Sequence, residues 1–283
     1  MSSFLRADVY VSSRLPVATP RHGDPGGWSP ISCTLIQGDF KAILVDTPIS
    51  IAQTEDLVRW IKETAPGKDL EYIYITHGHG DHWFGITVLK KFWPNVRAIA
   101  THGTVVHMKR ELDPIIFEAF WLKNFPGDQI AQPVTLPEPM ESSTFRLEGH
   151  DFHAIEVGHT DTYDSTVLHV PSLRLVVAGD VVYGDVHQFF GEAKTTEKRK
   201  EWLRALDTIE ALEPHIVIAG HKRAGTVDGI FNLRSTREYI LAFDDAVRTS
   251  SNWEELWLKM KTLYPGRINP NAIVHGAIAA FTE

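Results

Sequence analysis

The chain has 283 residues, a hydrophobic content of 43%, a formal charge of −8 and one cysteine. This length and apolar content suffice for a full core in one large or two small domains. The acidic balance, without any lysine- or arginine-rich stretch, argues against nucleic acid or an anionic membrane as the main partner. No apolar stretch approaches the ~20 residues that span a bilayer, so we expect no membrane association.

The first segment, MSSFLRADVYVSS, has no basic region followed by an apolar run and a cleavage site, so it does not read as a secretory signal. Cys33 is the single cysteine, which excludes an internal disulfide and fits a reducing compartment. We therefore expect a cytoplasmic protein.

Strands and helices alternate along the first half. DVYVSS and SCTLIQG are predicted strands around a Gly/Pro-rich loop at 16–30, and KAILVDT is a third strand. IAQTEDLVRWIKET carries the apolar stripe of a helix that Ser50 can cap and that Pro66 and Gly67 end. LEYIYITH is a buried strand.

The second half repeats this order. FRLEGHDFHAIEVGH, STVLHVPSLRLVVAGD and HIVIAGH are predicted strands, and EKRKEWLRALDTIEALE is a helix that begins near Thr195 or Thr196. Two such halves predict the α/β class, with two packed sheets between helices in αββα layers. We expect one domain over 1–283, with a core at about 8–225 and a C-terminal helical extension at about 226–283.

The strong strands end in residues that can bind metals. These residues are Asp46, His77, His159, Asp180 and His221. Strands in layered α/β proteins present their carboxyl ends on one rim, where sites are usually assembled, so these side chains are expected to meet.

A denser cluster lies where the strand LEYIYITH ends, in YITHGHGDHWFG. Alternate residues point the same way in extended chain, so His77 and His79 can hold one ion while Asp81 and His82 turn toward another. Imidazole with carboxylate favours zinc, and manganese and iron are the alternatives.

These motifs, in this order, resemble those of the metallo-β-lactamase fold superfamily over about Asp8 to Gly225. The resemblance implies an αββα sandwich and two zinc ions per chain. One zinc is expected on His77, His79 and His159, the other on Asp81, His82 and His221, with Asp180 as a bridge. Asp46 is expected to order the site through hydrogen bonds.

The resemblance also implies a hydrolase in which water activated by the two ions attacks a carbonyl, with Asp81 as a proton carrier. Tyr183 lies three residues past Asp180. In the lactonase branch a tyrosine at this offset points into the site, where it can bind the substrate carbonyl or the oxyanion. Packing under the rim is the alternative for this tyrosine. After His159, GHTDTYDSTV departs from the family by being about two residues longer than the compact form.

The expected pocket is rich in aromatic side chains: Trp28, Phe117, Phe120, Trp121, Tyr163, His187 and Phe189. Such walls favour a small apolar or aromatic substrate, and with Tyr183 they favour a cyclic amide or ester, that is, a lactam or a lactone. The aromatic segment 117–125 and the C-terminal helices are also compatible with a homodimer.

Two alternatives remain at this point. A thioesterase of the hydroxyacylglutathione-hydrolase or acyl-carrier type is favoured by Lys222 and Arg223 beside His221, because its substrates carry carboxylates or phosphates. A non-catalytic zinc-binding protein that keeps the fold is the other.

Overall fold

A computed structural model describes residues 4–19 and 27–282. The strands are β1 (Arg6–Val11), β2 (Leu15–Pro16), β3 (Gly27–Trp28), β4 (Ser32–Gln37), β5 (Lys41–Val45), β6 (Asp69–Tyr74), β7 (Arg97–Ala100), β8 (Glu138–Pro139), β9 (Thr144–Leu147), β10 (His150–Gly158), β11 (Ser165–Val170), β12 (Leu175–Val177) and β13 (Ile216–Ile218). The α-helices are α1 (Ile51–Thr64), α2 (Ile86–Phe92), α3 (His102–Glu111), α4 (Pro114–Ile116), α5 (Thr196–Ala211), α6 (Phe231–Thr249), α7 (Trp253–Leu263) and α8 (Asn271–Ala280). A π-helical turn covers Phe117–Leu122.

Two sheets form the centre of the molecule. The first has the order β1-β4-β5-β6-β7-β8, and the second has the order β13-β12-β11-β10-β9. Strands β5, β6, β7 and β8 pair in parallel, as do β12 and β13. Their carboxyl ends therefore share an edge within each sheet. The short strands β2 and β3 form a separate ribbon, and residues 20–26 of the predicted loop lie outside the described residues.

Three apolar clusters define the layers, and they confirm the predicted αββα arrangement. The first cluster joins the outer face of the first sheet to α1, α2 and α3, for example Leu44 with Leu57 and Leu89. The second lies between the sheets, where Tyr74 and Phe152 are fully buried. The third covers the outer face of the second sheet with α5, α6, α7 and α8. Apolar side chains on both faces of each sheet explain why its strands read as continuous apolar runs.

Capping residues fix where the two predicted helices, α1 and α5, begin. Ser50 and Gln53 form a reciprocal capping box at the start of α1, and Thr195 accepts a hydrogen bond from the Lys198 amide at the start of α5. The predicted single strand over 165–180 is wrong, because β11 ends at Val170 and β12 starts at Leu175. Pro171 has no amide hydrogen for a ladder, and it starts a 3-10 turn there.

The C-terminal helices α6, α7 and α8 complete the third cluster, to which they contribute Phe243, Leu256 and Ile273. Within the described ranges, no helix combines the length and apolar character that crossing a bilayer requires. The single-domain boundaries and the homodimer stay predictions.

Candidate metal centre and its cavity

Acidic and imidazole side chains meet where the strands of both sheets end. Within residues 4–19 and 27–282, four overlapping groups have ligand atoms that all lie within 4.8 Å of one another: His77–His79–Asp161, His77–His82–Asp180, Asp81–His82–His221 and His79–His107–Glu192. Asp46 follows β5, His77 follows β6, and Asp180 and His221 follow the parallel pair β12 and β13. The parallel pairing explains why residues so distant in sequence converge.

The first group contains His77, His79 and Asp161. Asp161 Oδ2 lies 3.0 Å from His79 Nδ1 and 4.0 Å from His77 Nε2. His77 Nε2 is buried and makes no hydrogen bond, and the only close partner of the buried Asp161 Oδ2 among the described residues is His79 Nδ1. Burial of such atoms without a partner is costly, so their convergence fits a site for a metal ion.

The second group contains Asp81, His82 and His221. His82 Nε2 lies 3.3 Å from His221 Nε2 and 3.8 Å from Asp81 Oδ2, and His221 Nε2 lies 3.4 Å from that same oxygen. Ligands at 2.0–2.1 Å around a tetrahedral zinc ion are separated by about 3.3–3.4 Å. Two of the observed spacings, 3.3 Å and 3.4 Å, match a tetrahedral zinc site, and the third, 3.8 Å between His82 Nε2 and Asp81 Oδ2, is longer.

Asp180 lies between the two groups. Its Oδ1 is 3.3 Å from His82 Nε2, and its Oδ2 is 3.2 Å from His221 Nε2. It also shares a group of close ligand atoms with His77. Oδ1 is buried without a hydrogen bond. This placement suits a carboxylate that contacts two ions.

The buried charges stabilise one another. Burial works against the charged form of Asp180, but His221 and His82 bring the pKa of this carboxyl well below its usual range. Burial also opposes the charge on His221, yet Asp180 and Asp81 raise the pKa of this ring to about 9. His77 is the exception, because burial brings its pKa well below the ordinary value. The carboxylates create a field that favours cations, and the neutral His77 ring has the free lone pair that a metal needs.

Asp46 supports the site from beneath. Its Oδ1 accepts a hydrogen bond from the Thr76 amide, and its Oδ2 accepts one from the Thr76 hydroxyl. Oδ2 is also 3.0 Å from His82 Nδ1, which leaves the Nε2 atom of His82 directed at the second group. Asp46 adopts a left-handed backbone conformation with φ 59°, a strained state that aspartate tolerates better than most residues. The geometry agrees with the ordering role expected for Asp46.

Glu192 supports His79 in the same way, and sequence reasoning missed it. Glu192 Oε1 lies 3.0 Å from His79 Nε2, and Glu192 Oε2 accepts a hydrogen bond from the Thr162 hydroxyl at 2.7 Å. A carboxylate on the outer nitrogen of a metal-binding histidine fixes the orientation of the ring. No motif around Glu192 signals this contact, because the residue reaches the site through a loop.

Tyr183 and Trp28 hold two of the carboxylates. The Tyr183 hydroxyl donates to Asp180 Oδ2 at 2.6 Å, and Trp28 Nε1 donates to Asp81 Oδ2 at 2.6 Å. Burial raises the pKa of Tyr183 well above its ordinary value, so the phenol keeps its proton. Tyr183 was expected to bind the substrate carbonyl, whereas here its proton is directed at Asp180.

His159 is not part of any of these groups, so its expected place at the first ion stays a prediction. Its Nδ1 lies 2.9 Å from the Thr160 carbonyl oxygen, and its pKa is lowered by burial and by nearby Lys198. The pairing of β10 with β11 shifts between Glu156 and Gly158, and Gly158 adopts a left-handed φ of 79°. This irregularity changes the backbone direction directly before His159.

Asp161 lies where His159 was expected. The Thr160 hydroxyl donates to Asp161 Oδ1 at 2.9 Å, which leaves Oδ2 facing His77 and His79. The sequence held a signal for this difference, because the loop after His159 is longer than the compact form of the family. Its length could not show which of the two residues faces the site.

A cavity of about 610 Å³ opens beside the metal ligands. Predicted pocket residues that line it are Trp28, Phe120, Trp121, His187 and Phe189, together with Tyr183. Lining residues that the sequence did not indicate are Ser29, Glu111, Glu192, Asn269, Asn271 and His275. The last three come from the C-terminal segment, which the sequence predicted only as a helical extension of the core.

Phe117 and Tyr163 do not line the cavity, which corrects their assignment to the pocket. Phe117 packs on Phe84 with ring centroids 5.7 Å apart, as part of the first apolar cluster. Tyr163 stacks on His107 at 4.1 Å and accepts a hydrogen bond from Arg110. The π-helical turn at 117–122 changes which side chains share a face, so α-helical spacing did not predict the outcome.

The basic residues after His221 have other partners. Lys222 is buried and lies 2.6 Å from Asp228 Oδ2, and Arg223 donates to the Gly266 carbonyl oxygen. Neither lines the cavity. Among the described lining residues Lys123 is the only lysine or arginine, and it is exposed.

Comparisons with known proteins agree with this geometry. The family described as the metallo-beta-lactamase superfamily matches residues 26–221. The metallo-beta-lactamase type 2 of Bacteroides fragilis is 24% identical over 199 residues, which are 69% of this chain and 71% of the relative.

Solved structures show the same fold. A metallo-beta-lactamase from Pontibacter korlensis aligns with a TM-score of 0.60 and 18% identity, over 84% of this chain and 99% of that one. The metallo-beta-lactamase FIM-1 from Pseudomonas aeruginosa, in a mono-zinc form, aligns with a TM-score of 0.57 and 17% identity, over 82% of this chain and 95% of that one.

Proposed function

Because this chain belongs to the metallo-beta-lactamase superfamily and is a metal-dependent hydrolase, we propose that it uses two zinc ions to open the ring of a small lactam or lactone with apolar or aromatic character. The observation that carries the proposal is that two groups of ligand atoms, linked by a third group that contains Asp180, border one cavity with aromatic walls.

Each of the two zinc ions would have its own set of ligands. His77, His79 and Asp161 would hold one zinc ion, and Asp81, His82 and His221 would hold the other, with Asp180 available to both. The buried atom His77 Nε2 supports this assignment, because it makes no hydrogen bond and a cation would supply the partner that it lacks.

The ions, when bound, polarise the substrate carbonyl and lower the pKa of a water molecule to about 7. Asp81 remains ionised at neutral pH, because His82 and His221 outweigh the effect of burial and lower its pKa. Its carboxylate can therefore orient the attacking water and receive its proton. Trp28 Nε1 keeps Asp81 Oδ2 in position, and Tyr183 does the same for Asp180 Oδ2.

The residues that line the cavity favour a small ring-shaped substrate. Trp28, Phe120 and Phe189 offer apolar surface near the ligands. Long carrier-linked thioesters carry phosphates or carboxylates that need basic partners, and the pairing of Lys222 with Asp228 removes the feature that favoured them. A lactam or lactone needs no such partner.

The proposal is tested by reconstituting purified protein with zinc and measuring hydrolysis of a panel of lactams, lactones and thioesters. We expect about two zinc ions per chain and turnover of at least one cyclic amide or ester. Activity on thioesters alone would overturn the substrate class, and fewer than two ions per chain would overturn the dinuclear site.

Asp81→Ala is the matched test of mechanism, with the exposed Asp39→Ala as its control. We expect Asp81→Ala to abolish turnover and Asp39→Ala to keep it, with circular dichroism showing that both variants are folded. Equal activity of the Asp81 variant and the unmodified protein contradicts the role given to this carboxylate.

A further inference from the structure

Glu111 is a buried carboxylate in the cavity wall that the hydrolytic mechanism does not use. It is the last residue of α3, and its side chain is 11% exposed. Its Oε2 accepts a hydrogen bond from Trp121 Nε1 at 2.6 Å. Among the described residues, the nearest basic nitrogen to Oε1 is His107 Nε2 at 3.8 Å, which is beyond hydrogen-bond distance. One carboxylate oxygen thus remains available at the cavity.

This position is unfavourable for a carboxylate in the free protein. Burial raises the pKa of Glu111 above its ordinary value. The carboxyl end of a helix also carries a partial negative charge, which repels an acidic side chain. No lysine or arginine of the described residues lies within 4.0 Å of it. A carboxylate with so little compensation is typical of a group that meets its partner only when a ligand binds.

The surroundings of Glu111 narrow the chemistry of that partner. Trp121 lies 5.4 Å from Trp28 and 5.1 Å from Phe120, measured between ring centroids, so the carboxylate lies at the edge of an aromatic wall. Aromatic faces beside a carboxylate favour N–H groups, above all when these are positively charged. The exposed Lys123 is the only lysine or arginine in the described lining, so a carboxylate on the substrate finds little support there.

We propose that Glu111 Oε1 accepts a hydrogen bond from an N–H group of the substrate, remote from the bond that is hydrolysed. The substrate class is then a lactam or lactone that bears an ammonium or an amide N–H next to its apolar part. This inference rests on the proposed function and makes Glu111 a specificity-determining residue.

The test compares three derivatives of the aromatic lactone phthalide that carry an aminomethyl, a carboxamide or a methyl substituent. For Glu111→Gln, kcat/KM is expected to fall about 10- to 100-fold for the aminomethyl compound if the natural group is an ammonium. If the natural group is a neutral amide, kcat/KM of Glu111→Gln is expected to fall about 3- to 10-fold for the carboxamide compound. For the methyl compound, kcat/KM is expected to change less than twofold in either case.

Glu118→Gln is the control, because Glu118 is exposed on the adjacent turn and does not line the cavity. It is expected to leave all three rates unchanged. An equal loss for all three compounds in Glu111→Gln, or no loss for any, overturns the proposal, since a purely structural glutamate does not distinguish the substituents.

A second measurement separates this inference from the proposed function. Should the zinc-loaded protein hydrolyse none of the three compounds, calorimetric binding of benzylammonium and benzamide decides the role of Glu111 independently of the proposed function. Binding to the unmodified protein that weakens at least fivefold in Glu111→Gln supports the N–H site. Equal binding to both proteins, or to neither, rejects it.

Discussion

Asp161 shows how one residue can replace another within a motif. His159 and Asp161 are separated by one residue, and both are buried. The left-handed turn at Gly158 directs Asp161 to His77 and His79, while His159 faces toward Lys198. A carboxylate at the first ion adds a negative charge that an imidazole does not carry. An ion bound by His77, His79 and Asp161 would therefore have more of its charge compensated than one bound by three neutral histidines.

The contrast between these two residues is directly testable. Asp161→Asn is expected to reduce bound zinc from about two ions to about one per chain, since the amide is a weaker ligand than the carboxylate. His159→Gln is expected to keep both ions. Elemental analysis after dialysis measures both, and the reverse pattern would show that His159 is the ligand.

Tyr183 acts through Asp180 in this structure. Tyr183→Phe removes the hydrogen bond to Asp180 Oδ2 and keeps the ring. We expect zinc affinity to fall about 10- to 100-fold, as for other groups that position metal ligands. Competition with a chromophoric chelator measures the affinity. Lower kcat with unchanged zinc affinity would instead support direct contact with the substrate.

Helix α8 matters at the scale of elements, because it adds His275 and Asn271 to the wall of the cavity. Gly276 lets this helix approach the loop at Phe190. A Cβ at position 276 would lie 2.7 Å from Phe190 Cβ and 3.3 Å from its backbone. The cavity wall therefore depends on one small residue in a segment that carries none of the metal ligands.

Gly276→Ala tests this close contact. Alanine is intrinsically better in a helix by about 1 kcal/mol, but overpacking costs about 1–3 kcal/mol. We expect a net loss of about 1 kcal/mol in the free energy of unfolding, measured with urea. Gly266→Ala is the control, because a Cβ there meets no atom within 4 Å, and it is expected to change stability by less than about 0.5 kcal/mol. Equal stability of both variants would show that α8 is not closely packed.

The molecule as a whole contains several buried histidines, and this affects its stability in acid. Burial lowers the pKa of His187 to about 3 and that of His107 to about 4. In the unfolded chain these rings titrate near 6.5. As the pH falls, the unfolded state therefore binds protons before the folded state does. The contribution of the buried neutral histidines to the free energy of unfolding is complete above pH 6.5 and is lost as the pH falls toward 4.

His187→Gln isolates one such contribution. We compare the free energy of unfolding of the two metal-free proteins at pH 7 and pH 5. It is expected to fall by on the order of 2 kcal/mol less in the variant than in the unmodified protein. Urea unfolding in the presence of a chelator measures the difference and avoids effects of metal release. The exposed His102→Gln is the control and should retain the original pH dependence. An unchanged slope in His187→Gln contradicts the buried neutral state.

The sequence by itself determined the fold class and most of the polar residues near the site. Apolar strands that end in Asp46, His77, Asp180 and His221 can be recognised locally, because strand periodicity and the residue after each strand are properties of short segments. The parallel ladders then bring these ends together, and the structure confirms the predicted layers.

Only the tertiary structure decided which side chains meet at the candidate metal centre and which line the cavity. Asp161 rather than His159 lies beside His77 and His79, after a shift in strand register, and the half-buried Phe117 in a π-helical turn packs on Phe84. Glu111 and Asn271 reach the cavity from α3 and α8. The physical reason is that side-chain direction depends on backbone irregularities and on packing between distant segments, neither of which leaves a periodic pattern in the sequence.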